Sequence, residues 1–139
     1  MIIALSGLHG TGKSTIAKLL AENLGMLYYS TGQAFRDLAE EKSMTLEEFT
    51  NYVERNPEID NNLDKKLVDM AKKGNIIIDS QLSGHMLKSI ADFKIHLTCP
   101  LKIRVKRMTA RDQSSYDAKL KETTLREESE LKRFKKLYN

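Results

Sequence analysis

The sequence has few of the residues that cross-link or interrupt a chain. Its 139 residues include one cysteine, two prolines and no tryptophan, and 6% are aromatic. The lone Cys99 excludes an internal disulfide and fits a reducing compartment, so we expect a cytoplasmic protein. No apolar run approaches the roughly 18 residues of a membrane helix, and Met1–Ser6 is unlike a secretory leader. We therefore expect no membrane partner.

What the sequence does contain is enough for a folded core. Hydrophobic residues make up 40% and charged residues 30%, which argues against disorder. A chain of 139 residues is the size of one domain. We therefore treat residues 1–139 as a single domain.

Charge is distributed unevenly along the chain. The formal net charge is +4, yet residues 1–101 carry −2 and residues 102–139 carry +6. A basic quarter of this kind fits either a nucleic-acid surface or a pocket for phosphates. Composition leaves both alternatives open.

Four short apolar runs alternate with helical patterns. Continuous apolar runs are typical of strands covered on both faces, as in a parallel sheet between helices. The pattern predicts an α/β fold, a doubly wound parallel sheet with several helices inserted between the second and third strands. The predicted strands are Ile2–Leu5, Met26–Tyr29, Ile76–Ile78 and Phe93–Leu97.

Helix boundaries can also be predicted. Gly25 and Gly74 are placed like helix stops, and Thr45 with Glu48 three residues later resembles a capping box. Helical spacing recurs in residues 16–24, 63–70 and 118–138.

The strongest motif is a phosphate loop between the first strand and the first helix. It matches G-x-x-x-x-G-K-[ST], a pattern in which glycines let backbone N–H groups converge on phosphate oxygens. Lys13 is expected to reach the β- and γ-phosphates and Ser14 to ligate Mg²⁺. A simple glycine turn is the alternative, but the flanking strand and helix favour nucleotide binding. The residues assigned to ATP binding are Gly7, Leu8, His9, Gly10, Thr11, Gly12, Lys13, Ser14 and Thr15.

Two further strand ends carry polar residues. Asp79 closes the third strand and is expected to hold a water of the Mg²⁺ ion beside the phosphate loop, the alternative being a turn-forming aspartate. After the second strand come Ser30, Thr31, Gly32 and Arg36, a possible anion site; alone, they could be a helix cap and a solvated arginine. A GTPase is disfavoured because the guanine motif N-K-x-D is absent.

These motifs resemble nucleoside monophosphate kinases, and most closely the archaeal-type cytidylate kinases. The resemblance rests on the phosphate loop, on T-G-x-x-F-R after the second strand, and on the segments 56–60, 82–84 and 126–130. It implies that the acceptor phosphate is held by Ser30, Thr31, Gly32, Arg36 and Gln81. It also implies a monophosphate-binding helical insertion at about 31–73 and a lid at about 108–125.

The sequence departs from the family pattern in two places. Gln81 stands where the family usually has an arginine, so we expect weaker monophosphate binding. Family members also continue beyond residue 139 into a fifth strand, a loop around the ATP base and a last helix. We therefore expect the fifth strand to be absent and catalytic competence to be affected.

The basic quarter contains arginines and lysines that we interpret differently. Arg107 and Arg111 share one helix face, and guanidinium groups bind phosphate oxygens in bidentate fashion. The resemblance gives Arg107, Arg111 and Arg126 the role of lid arginines over the transferred group, with Arg133 and Arg104 as weaker candidates. The lysines are interpreted as solvated: Lys102, Lys106, Lys119, Lys121, Lys132, Lys135 and Lys136.

The resemblance implies Mg²⁺-dependent phosphoryl transfer from ATP to CMP or dCMP. The catalytic residues would be Lys13, Arg107, Arg111 and Arg126, and no general base is needed because the acceptor is already anionic. We accordingly give His9, His85 and His96 no catalytic role. We expect a monomer that binds no nucleic acid. The alternatives are an adenylate-kinase-like ATPase of ribosome assembly and a non-catalytic nucleotide-binding module.

Overall fold

The structure is a computed structural model that describes residues 1–138, with side chains through residue 136. Four strands form one parallel sheet in the order β2-β3-β1-β4. The first strand is therefore central, between the third and the fourth. The strands are β1 (Ile2–Ser6), β2 (Leu27–Ser30), β3 (Ile76–Asp79) and β4 (Phe93–His96).

Helices follow every strand and confirm the predicted α/β alternation. α1 runs between β1 and β2, three helices lie between β2 and β3, α5 precedes β4, and two helices follow it. Their bounds are α1 (Lys13–Leu24), α2 (Thr31–Glu41), α3 (Leu46–Arg55), α4 (Glu58–Ala71), α5 (Ser83–Met86), α6 (Leu101–Asp112) and α7 (Tyr116–Tyr138). None of the helices within residues 1–138 is both long and apolar enough to cross a bilayer.

Local signals account for most of the helix ends. α1 ends at Gly25, whose φ of 61° is left-handed, and Thr45 caps α3 by accepting a hydrogen bond from the Glu48 N–H at 3.1 Å. The cap of α2 is Ser30, which accepts from the Gln33 N–H at 3.2 Å. The second strand is therefore shifted by one residue from the predicted Met26–Tyr29, since Ser30 ends the strand and also begins the next helix.

The sheet is covered on both faces, as its continuous apolar strands require. On one face, Ile3 and Leu5 of β1 pack against Ala17 and Ala21 of α1. On the other face, Ala4 and the neighbouring β3 side chains pack with α4. A third apolar cluster joins α2 and α3 around the fully buried Phe49.

The carboxyl ends of three strands meet at one edge of the sheet. Leu5 pairs with Asp79, and Ser30 pairs with Asp79 on the other side of β3. The phosphate loop leaves β1 two residues after Leu5. The register therefore brings the loop, Asp79 and the Ser30 turn together, which is where ligands bind in open parallel sheets.

One prediction about the basic quarter is wrong. Lys119 of α7 has a side chain only 3% exposed, and its Nζ donates to Asp112 at 2.7 Å and to Glu122 at 3.0 Å. The turn between α6 and α7 folds the two helices against each other and buries this lysine between carboxylates. The other six lysines of the group are exposed.

Candidate active site

The phosphate loop spans residues 7–12 and approaches neighbouring backbone closely. Gly7 has a φ of 151°, and a Cβ there would lie 2.6 Å from the carbonyl oxygen of Leu97. Gly10 has a φ of 81°, and its Cβ would lie 2.8 Å from the carbonyl oxygen of Arg104. Any side chain at these positions would displace the loop from the start of the segment after β4 and from α6.

Lys13 and Ser14 begin α1 and project toward Asp79. Lys13 Nζ donates to the Leu8 carbonyl at 3.1 Å, and Ser14 Oγ donates to Asp79 Oδ2 at 2.6 Å. Asp79 Oδ2 also accepts from the Tyr28 hydroxyl at 2.9 Å. Burial lowers the pKa of Lys13, and the carboxylate of Asp79 opposes that shift.

The loop and the turn after β2 open into one cavity of about 400 Å³. Ser30, Thr31, Gly32 and Arg36 line it from one side. Thr31 Oγ1 is buried and has no hydrogen-bond partner among the described residues. A buried hydroxyl of this kind is available to a ligand.

Gln81 lines the same cavity from the segment after β3. Its Nε2 is buried and likewise has no hydrogen-bond partner among the side chains described. The amide therefore provides the donor that the sequence predicted, without the charge of an arginine.

Five arginines line the cavity. Arg36 comes from α2, Arg107 and Arg111 from α6, and Arg126 and Arg133 from α7. Burial lowers the pKa of Arg36, and the nearby positive charges of Arg111 and Arg126 lower it further. Guanidinium groups grouped around one cavity can bind an anion.

The arginines differ in how firmly they are held. Arg126 is 4% exposed, and its guanidinium carbon lies 4.8 Å from the centroid of the Phe35 ring. Arg111 is exposed and pairs through two atoms with Asp112, at 2.7 and 2.9 Å. Arg107 is exposed and contacts Cys99 Sγ at 3.7 Å. Arg126 is thus fixed, whereas Arg107 and Arg111 lie at the rim.

Three of the assigned loop residues do not line the cavity: Gly7, Leu8 and Thr11. Leu8 is 46% exposed, and its carbonyl accepts hydrogen bonds from Thr11 Oγ1 at 2.9 Å and from Lys13 Nζ. These three residues contribute to the shape of the loop and not to the cavity wall. The remaining assigned residues, from His9 to Arg126, do line the cavity.

Arg104 has a structural position. It is 4% exposed, and its Nη1 donates to the His9 carbonyl at 3.0 Å and to Glu127 Oε2 at 2.7 Å. Its guanidinium ties α6, α7 and the phosphate loop together beside the cavity.

Two carboxylates of α4 line the cavity beside Arg133, although no role was predicted for them from the sequence. Arg133 forms ion pairs with Asp60 Oδ2 at 3.0 Å and Asp64 Oδ2 at 2.9 Å, and all three residues line the cavity. Asp60 and Asp64 are four apart on α4, a spacing that could have indicated a shared face. Burial raises the pKa of Asp60 to about 6, although Arg133 opposes the shift.

His9, for which no catalytic role is predicted from the sequence, has a partly buried carboxylate partner. Its imidazole is largely buried, and Nε2 lies 2.9 Å from Glu130 Oε1 and 3.1 Å from Oε2. Burial lowers the pKa of His9, as does Arg126, while Glu130 acts in the opposite direction. No sequence spacing indicates this pair, since 121 residues separate its members.

The chain is similar to known proteins over nearly its whole length. Residues 3–135 match the family model described as an AAA domain. Over its whole length, the chain is 44% identical to the cytidylate kinase of Methanococcus vannielii and covers 82% of that protein. The chain is also 42% identical to the cytidylate kinase of Ignicoccus hospitalis, covering 99% of its own length and 80% of the relative.

Solved structures resemble the fold at low sequence identity. A shikimate kinase from Bacteroides thetaiotaomicron superposes with a TM-score of 0.63 and 16% identity, over 83% of this chain and 66% of that one. A deoxyadenosine kinase from M. mycoides, solved with dATP, gives a TM-score of 0.52 and 19% identity, over 100% of this chain and 87% of that one. These likenesses establish a kinase-type phosphate-loop fold.

Proposed function

Because the chain belongs to the cytidylate kinase family, it is a nucleoside monophosphate kinase, and we propose that it transfers the γ-phosphoryl group of ATP to CMP or dCMP. The observation that carries this proposal is the convergence of five arginines and Lys13 on one cavity. The cavity joins the phosphate loop to the turn after β2, so it can hold a donor and an acceptor together. In-line transfer between them requires alignment and charge neutralisation.

The donor phosphates would bind at the phosphate loop. Lys13 Nζ would exchange its contact with the Leu8 carbonyl for β- and γ-phosphate oxygens. The positive N-terminal end of α1 points to the same place.

Ser14 and Asp79 are the residues that would hold Mg²⁺. Their oxygens are 2.6 Å apart, and Mg²⁺ binds through one or two protein oxygens, with water and substrate phosphates completing its shell. The side chains present fit the ion. When bound, it neutralises charge on the donor phosphates.

The acceptor phosphate would lie against Thr31, Gly32 and Arg36, within reach of the Gln81 amide. Arg107 and Arg111 would close over the transferred group beside Arg126, which packs against Phe35. Closure excludes water and so limits hydrolysis of ATP. No general base is required, since the attacking phosphate oxygen is already ionised. Lys13, Arg107, Arg111 and Arg126 are therefore the catalytic residues in this proposal.

Several assignments follow from the same picture. In this proposal, the segment of about residues 31–73 binds the monophosphate, and the segment of about residues 108–125 forms the lid. We propose that the protein is a monomer, and the single free Cys99 suits the cytoplasm. Four of the five arginines of the basic quarter line the cavity, which favours a pocket for phosphates, and we propose that nucleic acid is not a partner.

A coupled assay for ADP formation tests the proposal. With ATP and Mg²⁺, we expect CMP and dCMP to be phosphorylated faster than UMP or AMP. Preference for AMP would favour the adenylate-kinase-like alternative, and no ADP with any acceptor would favour the non-catalytic module. The same assay on a chain extended by a fifth-strand segment tests whether that segment is needed.

The substitution Lys13→Ala should lower kcat by at least about 100-fold, because the transferred charge loses its nearest cation. Lys18→Ala is the matched control, since Lys18 is an exposed lysine of the same helix. Substantial activity in the Lys13 variant would contradict the mechanism.

A further inference from the structure

Two carboxylates of α7 hold one residue of the phosphate loop, one directly and the other through Arg104. Glu130 contacts the imidazole of His9 with both oxygens, at 2.9 and 3.1 Å. Glu127 binds Arg104 at 2.7 Å, and Arg104 in turn donates to the His9 carbonyl at 3.0 Å. Side chain and backbone of the same loop residue are therefore both held from α7.

Glu130 also lies beside the fixed lid arginine. Its Oε1 is 3.9 Å from Arg126 Nη2, one helical turn away on α7. Arg126 Nε is buried without a hydrogen-bond partner among the described residues, and the side chain lines the cavity. The Nη2 group of Arg126 thus faces Glu130, and its Nε is available to donate a hydrogen bond to a ligand.

The charge state of this cluster is defined by its neighbours. Burial alone would raise the pKa of Glu130, but His9, Arg126 and Arg133 together lower it, so the carboxylate is ionised. Burial lowers the pKa of His9, so the neutral ring donates its Nε2–H to the carboxylate. The negative charge of Glu130 therefore interacts with both His9 of the phosphate loop and Arg126.

We propose that Glu130 is a positioning residue for phosphoryl transfer. It holds His9 of the phosphate loop and Arg126 of α7 at the relative positions needed around one phosphoryl group. The inference rests on the proposed kinase function. Glu130 contacts no reacting atom in this scheme. It determines the separation between the groups that do, and a misplacement of about 1 Å can cost about 100-fold in rate.

The test compares Glu130→Gln with Glu128→Gln in steady-state kinetics with ATP and CMP. Glu128 is an exposed glutamate of the same helix, so its variant removes the same charge. We expect kcat of the Glu130 variant to fall by about 10- to 100-fold with KM for ATP changed less than about threefold, as for residues that orient others. The Glu128 variant should stay within twofold of the wild type.

Two further measurements separate positioning from a purely structural role. Glu130→Gln is nearly isosteric, so its Tm should stay close to that of the wild type while kcat falls. In a double-mutant cycle with His9→Asn, the two losses should be far from multiplicative, because both variants break one contact. An unchanged kcat in the Glu130 variant, a loss explained by unfolding, or independent effects of the two substitutions would overturn the inference.

The outcomes also distinguish this inference from the proposed function. If the wild type forms no ADP with any monophosphate, the proposed function fails. If the wild type is active and the Glu130 and Glu128 variants behave alike, only the positioning role fails.

Discussion

Gln81 is an uncharged residue on the acceptor side of the cavity, at a position where the family usually has an arginine. Its buried Nε2 faces no partner among the described side chains, and Arg36 is the cation of the nearby acceptor turn. Gln81→Arg should lower KM for CMP by about tenfold, because a charge-assisted hydrogen bond to phosphate contributes about 1.5–3 kcal/mol. Steady-state kinetics at saturating ATP measures the change.

Gln81→Met is the matched control, since it keeps the length of the side chain and removes the donor. KM for CMP should rise in that variant, and KM for ATP should be unaffected in both. An unchanged KM for CMP in the arginine variant would show that residue 81 does not contact the acceptor.

Asp60 makes the stability of the fold depend on pH. Its carboxyl titrates near 3.8 in the unfolded chain and at a pKa of about 6 in the folded one. The folded state therefore binds the proton more tightly, and the stability this proton contributes is lost as the pH rises through 6. The free energy of unfolding of Asp60→Asn, relative to that of the wild type, should increase as the pH rises from 4 to 7.5, by at most about 3 kcal/mol.

Urea unfolding at the two pH values measures this difference. Asp69→Asn, an exposed carboxyl of the same helix, is the control and should show no comparable change between them. A constant difference between Asp60→Asn and the wild type across this range would contradict the expectation.

At the scale of elements, the turn between α6 and α7 contains a non-glycine residue in a left-handed conformation. Gln113 ends α6 with a φ of 53°, and its N–H donates to the Thr109 carbonyl. Gln113→Gly should raise stability by about 0.5–1 kcal/mol, because relief of about 1–2 kcal/mol of backbone strain outweighs the added entropy of the unfolded chain. Thermal unfolding should show an increase in Tm of about 2–4 °C.

The reverse change at the end of α1 is the control. Gly25 has a φ of 61°, and a Cβ there would meet no atom within 4 Å, so Gly25→Ala tests the backbone conformation alone. It should destabilise by about 1 kcal/mol. If glycine at 113 lowers Tm, the turn is not strained.

The elements that the sequence predicted well are those with local signals. The phosphate loop, the stop at Gly25 and the cap at Thr45 all depend on residues within a few positions of one another. The solvated state predicted for Lys119 is wrong because its partner Asp112 is brought near by a helix–helix turn. Spacing along one helix does not report what packs against it.

The same limit applies to the candidate site as a whole. Arg107 and Arg111 could be placed on one face from their spacing, and the structure brings both to the cavity. Other contacts join segments far apart in the chain. They are the pairing of His9 with Glu130 and the ion pairs of Arg133 with two aspartates of α4. These contacts depend on how α7 packs in the folded protein, so the sequence spacing could not predict them.

For the whole molecule, the position of β1 at the centre of the sheet has a consequence for synthesis. Ile2 pairs with Ile76 and Ile3 pairs with Phe93, so β1 must wait for two strands that are synthesised much later. At roughly 5–20 residues per second, that wait lasts about 5–20 seconds. The α2–α3 cluster around Phe49 uses neighbours close in sequence and can form sooner. The phosphate loop reaches its final shape only after β4 has emerged from the ribosome, so nucleotide cannot stabilise the nascent chain before then.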